Sequence, residues 1–343
     1  MSQLQPAAIN PKGYGPLLSI VVTSYTMERL KDIYDLLDSI KLQDYPYIET
    51  VFVGERTREL GDRVRAYAEE KKIQNVKILF NEGEPGLSSA RNLGIKNASG
   101  EIVGFVVDDA VLAPSWAREL VNTFGTHESA VGVTGPAFPL WEDESMDWFP
   151  AEFYWIIGCT SWYSSDKIVK IRNLWGMNMA FRKEVFQMCG LFSPSLGLWG
   201  GDKVGWNKPP GDENEFSFRV KQKMGKDLLY NPRVIIKHKI RKRSYTLKLI
   251  AKEAYRIGLS RAIIRKLYKG SAQSEDNLDI EGALLGRVFT RTFPGILAGF
   301  FTAPLVAWRK LCVTMVALSF LVFGFCAYYR YGLFNKTGIL GKN

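Results

Sequence analysis

Short apolar runs alternate with amphipathic stretches through the N-terminal third of the chain. Leu18-Ser-Ile-Val-Val22 reads as a buried strand, Glu28 to Gln43 as an amphipathic helix, Thr50-Val-Phe-Val53 as a strand and Leu60 to Lys72 as a second helix. Val76 to Phe80 follows as a strand, Arg91 to Ala98 as a helix and Glu101 to Val107 as a strand. Strands this continuously apolar, separated by helical patterns, predict an α/β fold in which a mostly parallel sheet carries helices on both faces. Ligands of such sheets sit beyond the carboxyl ends of the strands, so the residues directly after each strand are the first candidates for chemistry.

The pattern changes toward the other end. Leu311 to Tyr329 is nineteen residues without a charge, bracketed by Arg309-Lys310 and Arg330. As a helix it measures about 28 Å, close to a hydrocarbon core of roughly 30 Å, and it is expected to be a membrane span. Phe293 to Trp308 is equally apolar but carries Pro294 and Pro304. A second crossing there would leave Arg309 and Lys310 on the far side, against the positive-inside tendency, so this segment is expected to be interfacial or re-entrant. The other reading of both segments is a buried helical hairpin. The N-terminus, Met1 to Pro16, lacks the basic-then-apolar order of a secretory signal, which predicts a cytosolic folded part on the cytoplasmic side of a cell membrane.

Charge sharpens this division. The 343 residues carry 45 Lys+Arg and 35 Asp+Glu, yet residues 1–230 hold 25 basic and 30 acidic side chains while 231–343 hold 20 and 5. A tail this basic meets an anionic partner. Lys237-His238-Lys-Ile-Arg241-Lys242-Arg243 opens the basic stretch, and Arg256, Arg261, Arg265 and Lys269 continue it upstream of the apolar run. That order fits a helix on an anionic membrane surface or capture of a lipid phosphate; no nucleic-acid recognition motif accompanies it, and no nucleic-acid partner is expected. Cys159, Cys189, Cys312 and Cys326 show no C-x-x-C spacing, which predicts free thiols without a zinc site. The expected organisation is a flexible 1–16, a catalytic domain over 17–232, basic amphipathic helices over 233–292, an anchor over 293–330 and a tail over 331–343.

The strand ends supply the candidate chemistry. Thr23-Ser24-Tyr25 follows the first strand and Gly54-Glu55-Arg56 the second, polar groups that can face a nucleotide or simply form βα turns. Asp108-Asp109 follows the fourth strand, and a hard divalent cation with a bound diphosphate needs such an oxygen ligand. Gly83-Glu-Pro-Gly86-Leu-Ser-Ser-Ala-Arg91-Asn92-Leu-Gly94 joins a turn to a helix whose Arg91 can reach a phosphate.

In this order the motifs resemble the family 2 glycosyltransferases with the GT-A fold: an apolar strand ending in T/S-Y, an acid after the second strand, G-x-S-x-A-R-N-x-G, and an aspartate cluster ending a later strand. Downstream, Gly176-Met-Asn178-Met-Ala180-Phe-Arg182 is similar to the family's acceptor-side segment, and Gly211-Asp212-Glu213-Asn214-Glu215-Phe216 with Arg219 to its G-E-D-x-E-F-x-x-R motif. The resemblance covers roughly residues 17–260. It implies a nucleotide-sugar donor, uridine-linked by family preference, bound by Thr23, Ser24, Tyr25, Glu55, Arg91 and Asp108. It implies a divalent cation, manganese or magnesium, at Asp109 with His238 near the diphosphate. The catalytic base of an inverting transfer would be Glu213, standing where relatives carry Asp, with Asp212 as the other candidate. Asn178, Trp199 and Trp206 are implied on the acceptor side, the last two in the Gly- and Pro-rich run 197–211. The C-terminal architecture is most similar to archaeal and bacterial members that extend lipid-linked glycans. A polyprenyl-phosphate sugar synthase and a nucleotide-sugar-binding membrane protein without catalysis are the alternatives.

Seven of the nine tryptophans lie between Trp141 and Trp206, with Trp141, Trp148, Trp155 and Trp162 seven residues apart. Pro150 rules against one continuous helix through them, so they are either an aromatic surface for sugar or bilayer, or core.

Overall fold

The computed structural model describes residues 15–160, 165–196, 210–242, 246–267, 282 and 284–331. Trp162, Trp199 and Trp206 lie outside the described residues. The chain forms two compact units: Met1–Phe138, Ser164–Pro194 and Asp212–His238 make one, and Pro139–Tyr163, Ser195–Gly211 and Lys239–Asn343 the other.

The first unit follows the alternation in the sequence. Strand β1 (Leu18–Ser24), helix α1 (Leu30–Lys41), β2 (Ile48–Gly54), α2 (Arg58–Glu70), β3 (Val76–Phe80), α3 (Leu87–Asn97) and β4 (Ile102–Val107) succeed one another as expected. Then come β5 (Ala110–Leu112), α4 (Trp116–Thr126), β6 (Ala130–Thr134), β7 (Ala137–Trp141), β8 (Val169–Lys170), β9 (Asn178–Arg182), α5 (Glu184–Cys189), α6 (Asp212–Met224), β10 (Asp227–Tyr230) and β11 (Ile236–Ile240). The main sheet has the order β3-β2-β1-β4-β9-β6-β10-β8. The first four strands are parallel, and β9 is inserted antiparallel between β4 and β6.

Two apolar layers cover this sheet. Ile33, Leu36, Leu37 and Ile40, one face of α1, pack with Leu18, Ile20 and Trp116 on one side. Val21, Val51, Phe105, Phe181 and Phe216 form the other. Gly94 of α3 lies against Val21, where a Cβ would collide with the valine side chain, and this close approach explains the final glycine of the G-x-S-x-A-R-N-x-G run.

The register aligns the functional edge. Ser24 pairs with Gly54 and Thr23 with Val107, so β1, β2 and β4 end level with one another. Because β9 is antiparallel to β4, with Asn178 opposite Val106, the residues just before Asn178 emerge at the same edge as Asp108-Asp109.

The second unit gathers a segment that sequence order assigns to the catalytic domain. Phe149, Phe153, Ile156 and Ile157 share one apolar cluster with Ile250, Ala254, Val313 and Ala317, and Trp141, Trp148 and Trp155 pack onto it. The seven-residue tryptophan spacing therefore feeds a core, from a strand end, a turn and a 3₁₀ helix (Ala151–Ile157), rather than one helical stripe.

Helix α7 (Leu247–Leu267) is followed, after a π-helical turn at Val288–Thr292, by α8 (Phe293–Thr302) and α9 (Pro304–Tyr331). Pro304, within the segment expected to be interfacial or re-entrant, opens α9, since proline suits a helix's first turn. As a result α9 runs unbroken through Arg309 and Lys310, and it is long and apolar enough to cross a membrane. It packs along α7 with glycine at the contact: a Cβ on Gly258 would strike the Leu321 carbonyl, and one on Gly324 the Tyr255 carbonyl. Gly258→Leu is expected to lower stability by about 1–3 kcal/mol through overpacking. In thermal unfolding the control Gly125→Ala, at a helical position with open space around it, should not fall below the parent.

Candidate active site

At the ends of β1 and β4 three elements converge on two carboxylates. Ser24 Oγ donates to Asp108 Oδ2 at 2.6 Å. Asp109, 4% exposed, is in contact with the Arg29 guanidinium through one carboxylate oxygen, and His238 Nε2 lies 3.0 Å from the other. Arg29 also stands 3.8 Å from Asp108. Antiparallel pairing of β5 with β11, which sets His238 opposite Ala110, brings the histidine to this point. Burial pushes the Asp108 carboxyl up from its ordinary value, against the opposing pull of Arg29 and the Ser24 hydroxyl. The residues expected to hold a cation thus meet, and a cationic side chain is already drawn to the carboxylate. Arg29, in the 3₁₀ turn Met27–Arg29 after β1, was not among the sequence candidates; its only signal was a basic residue one turn beyond a strand end.

Glu55, directly after β2, is buried, and its Oε1 accepts from Asn81 Nδ2 at 2.6 Å and from the Gly86 amide at 2.9 Å. Its Oε2 is free of hydrogen bonds among the described residues. Glu55 therefore ties the β3–α3 turn to the strand ends, a role the motif order did not reveal. Tyr25 and Thr23 are partly exposed, and the Arg56 guanidinium lies 5.0 Å over the Tyr25 ring.

Two expected ligand residues are committed to the protein instead. Arg91, 4% exposed, donates to Asp212 Oδ2 at 2.9 Å and to the Gly176 carbonyl at 2.6 Å, with Phe105 and Phe192 around its guanidinium. Its guanidinium is thus engaged by protein groups. Asn178 is fully buried; its amide donates to the Val234 carbonyl at 2.7 Å and accepts from Trp116 Nε1 at 2.8 Å, so it holds β9 to its neighbours and presents nothing to an acceptor.

The two candidate bases are sharply different. Asp212, the first residue of α6, is held by Arg91 and also accepts from Ser88 Oγ at 3.2 Å. Glu213 is partly exposed and lies against Gly176, whose added Cβ would sit 3.4 Å from the Glu213 carboxyl carbon. Protein packed around that carboxyl, and then the neighbouring Asp212, push it up to about 8. Gly176 precedes Asn178 by two residues, so the β4–β9 register brings Glu213 to the sheet edge that also carries Asp108 and Asp109. Arg91→Met is expected to lower stability by about 3–5 kcal/mol in a denaturant titration, because it leaves Asp212 buried without its cation. A second change, Asp212→Leu, should restore most of the loss.

A mixed sheet with two carboxylates at the ends of its parallel strands and a further acid opening a helix at the same edge is the GT-A architecture of nucleotide-sugar transferases. The chain belongs to glycosyl transferase family 2, whose model matches residues 19–190, and it is a glycosyltransferase. Among curated proteins it is 27% identical, over 80% of its length and 85% of the relative's, to the glucosyl-dolichyl phosphate glucuronosyltransferase of Haloferax volcanii. Solved structures share the fold. The mannosyltransferase PcManGT from Pyrobaculum calidifontis, in complex with GDP-Man and Mn2+, gives a TM-score of 0.53 at 19% identity over 92% of this chain and 90% of that one. TarS residues 1–349 from S. aureus give 0.50 at 13% identity over 92% of each chain.

Proposed function

We propose that this glycosyltransferase is membrane-bound and inverting, and that it moves a sugar from a nucleotide sugar, uridine-linked, to a glycan carried on a polyprenyl or dolichyl phosphate on the cytoplasmic side of the membrane. The observation that carries the reading is the pairing of unlike acids: Asp212 neutralised by Arg91, and Glu213 beside it with its carboxyl raised to about 8, at the edge where Asp108 and Asp109 emerge. A base must have an affinity for protons near the working pH, and Glu213 has it. Asp212 is instead engaged by the buried Arg91 guanidinium. The likeness to a glucosyl-dolichyl phosphate glucuronosyltransferase over most of both chains supports the lipid-linked acceptor.

Glu213 takes the proton of the acceptor hydroxyl as that oxygen bonds to the anomeric carbon. The bond from this carbon to the diphosphate oxygen breaks, its electron pair leaves with the nucleoside diphosphate, and the new linkage has the opposite configuration. Asp109 and His238, a carboxylate and an imidazole 3.0 Å apart with a guanidinium drawn to the carboxylate, fit a divalent cation, manganese or magnesium. Such a cation supplies neutralisation of the charge that develops on the departing diphosphate. Ser24 keeps Asp108 oriented by its hydrogen bond, and Glu55 holds the turn beside the donor site.

Release of nucleoside diphosphate by the full chain in native-like membranes, across a panel of nucleotide sugars, tests this. Release that requires both metal and a polyprenyl-phosphate lipid fraction is expected. Release no greater than that of an Asp109→Ala control, from any donor, would overturn it, and bare polyprenyl phosphate as the sufficient acceptor would make the enzyme a synthase.

A further inference from the structure

Helices α7 and α9 run parallel and stay in contact along nearly the whole apolar run of α9. Ile250 and Ala254 share a cluster with Val313 and Ala317, and Leu259 and Ile263 share another with Ala327 and Tyr328. At the far end Lys266 Nζ lies 5.6 Å over the Tyr328 ring. The helix that keeps this contact is strongly charged. Its middle turns carry Lys252, Glu253, Arg256 and Arg261, with Arg256 paired to Glu253 at 3.0 Å, and Lys248, Arg265 and Lys266 lie exposed toward its ends. If α9 crossed a bilayer with this packing intact, α7 would enter the hydrocarbon beside it, and each of those charges at the midplane is strongly unfavourable.

The opposite face of α9 is different. Leu305, Trp308, Met315, Val322 and Tyr329 are 75%, 59%, 51%, 61% and 58% exposed, and their spacing of three and seven residues puts them along one side of the helix, with the exposed Arg309 and Arg330 only near its ends. Phe289, Leu297 and Phe301 are also exposed just before it. One helix therefore has an apolar outer stripe and, packed on its other side, a neighbour with six basic side chains and one acidic. Its 28 residues measure about 42 Å, more than a span of roughly 30 Å requires.

We propose that α9 does not cross the membrane but lies in the plane of a single leaflet, its outer stripe at the acyl boundary and the basic side chains of α7 at the phosphates of anionic lipids. The occupant of the stripe is an anionic lipid surface, because the charge beside it is of the opposite sign. Attachment is monotopic, and the C-terminus stays on the same side as the N-terminus. This rests on the membrane attachment proposed above and not on the transfer chemistry.

The full chain, tagged at both termini, tests it in two steps. First, flotation with vesicles of phosphatidylcholine and phosphatidylglycerol (7:3) at low salt should exceed flotation with phosphatidylcholine alone by about tenfold or more, and Met315→Glu/Val322→Glu should abolish it. Flotation with neither would overturn the membrane reading itself, and a dimer in detergent-free solution that the double variant dissociates would make the stripe a subunit interface instead. Second, in sealed cell-derived vesicles added protease should remove both tags together or spare both together. Removal of one tag with protection of the other would show a crossing and overturn the monotopic arrangement while leaving the membrane-bound transferase intact.

Discussion

Glu213→Gln is expected to lower kcat by about 10²–10⁴-fold, the usual worth of a positioned base, while the KM for the donor changes little. Glutamine keeps the size of the side chain and cannot take the acceptor's proton. The pH profile separates this from a structural loss. The Glu213 carboxyl is raised to about 8, so below that pH it is mostly protonated and unable to act as a base. In the parent enzyme kcat/KM for the acceptor should therefore rise with pH and level off above about 8; in the glutamine variant this limb should be gone, and Glu213→Asp should retain it with reduced turnover. A variant as active as the parent would transfer the role to Asp212. Asp212→Asn should act differently, because it loosens the buried pair with Arg91 and lowers the unfolding midpoint as well as turnover.

Asp109→Ala is the second variant with a large expected effect, a fall in kcat of about 10²–10³-fold, corresponding to several kcal/mol of charge stabilisation in the transition state. Circular dichroism should be unchanged, and added manganese or magnesium should no longer raise either the rate or the thermal stability of the chain with nucleoside diphosphate. The contact with Arg29 gives a further readout. Asp109→Ala leaves that guanidinium with Asp108 alone, at 3.8 Å, whereas Asp109→Asn preserves the shape and removes only the charge. If alanine and asparagine lower turnover equally and both abolish the metal response, the charge is what matters. A metal response that persists in both would remove Asp109 from the cation site.

Both variants bear on the alternative of a nucleotide-sugar-binding membrane protein without catalysis. That reading predicts that neither substitution changes its function in cells. The match to glycosyl transferase family 2 argues for catalysis.

Much of this was readable along the chain, because it depends on neighbours in sequence. The alternation of apolar runs and amphipathic stretches determined the strands and helices of the parallel half-sheet, and the ends of β1, β2 and β4 identified Ser24, Glu55 and the Asp108-Asp109 pair. The position of Asp212-Glu213 opening a helix was legible in the same way.

Which side chains remain available for a ligand was not, because it is decided by partners far apart in sequence. Arg91 and Asp212 neutralise each other across 121 residues, which commits these two side chains to one another and leaves Glu213 beside them with the raised carboxyl. Asn178 is withdrawn by hydrogen bonds to Trp116 and Val234. The apolar run Leu311 to Tyr329 reads as a membrane span by length and hydrophobicity alone. Tertiary packing sets α7 beside it, and the cost of moving that helix's charges out of water is a property of the pair that neither segment's sequence contains.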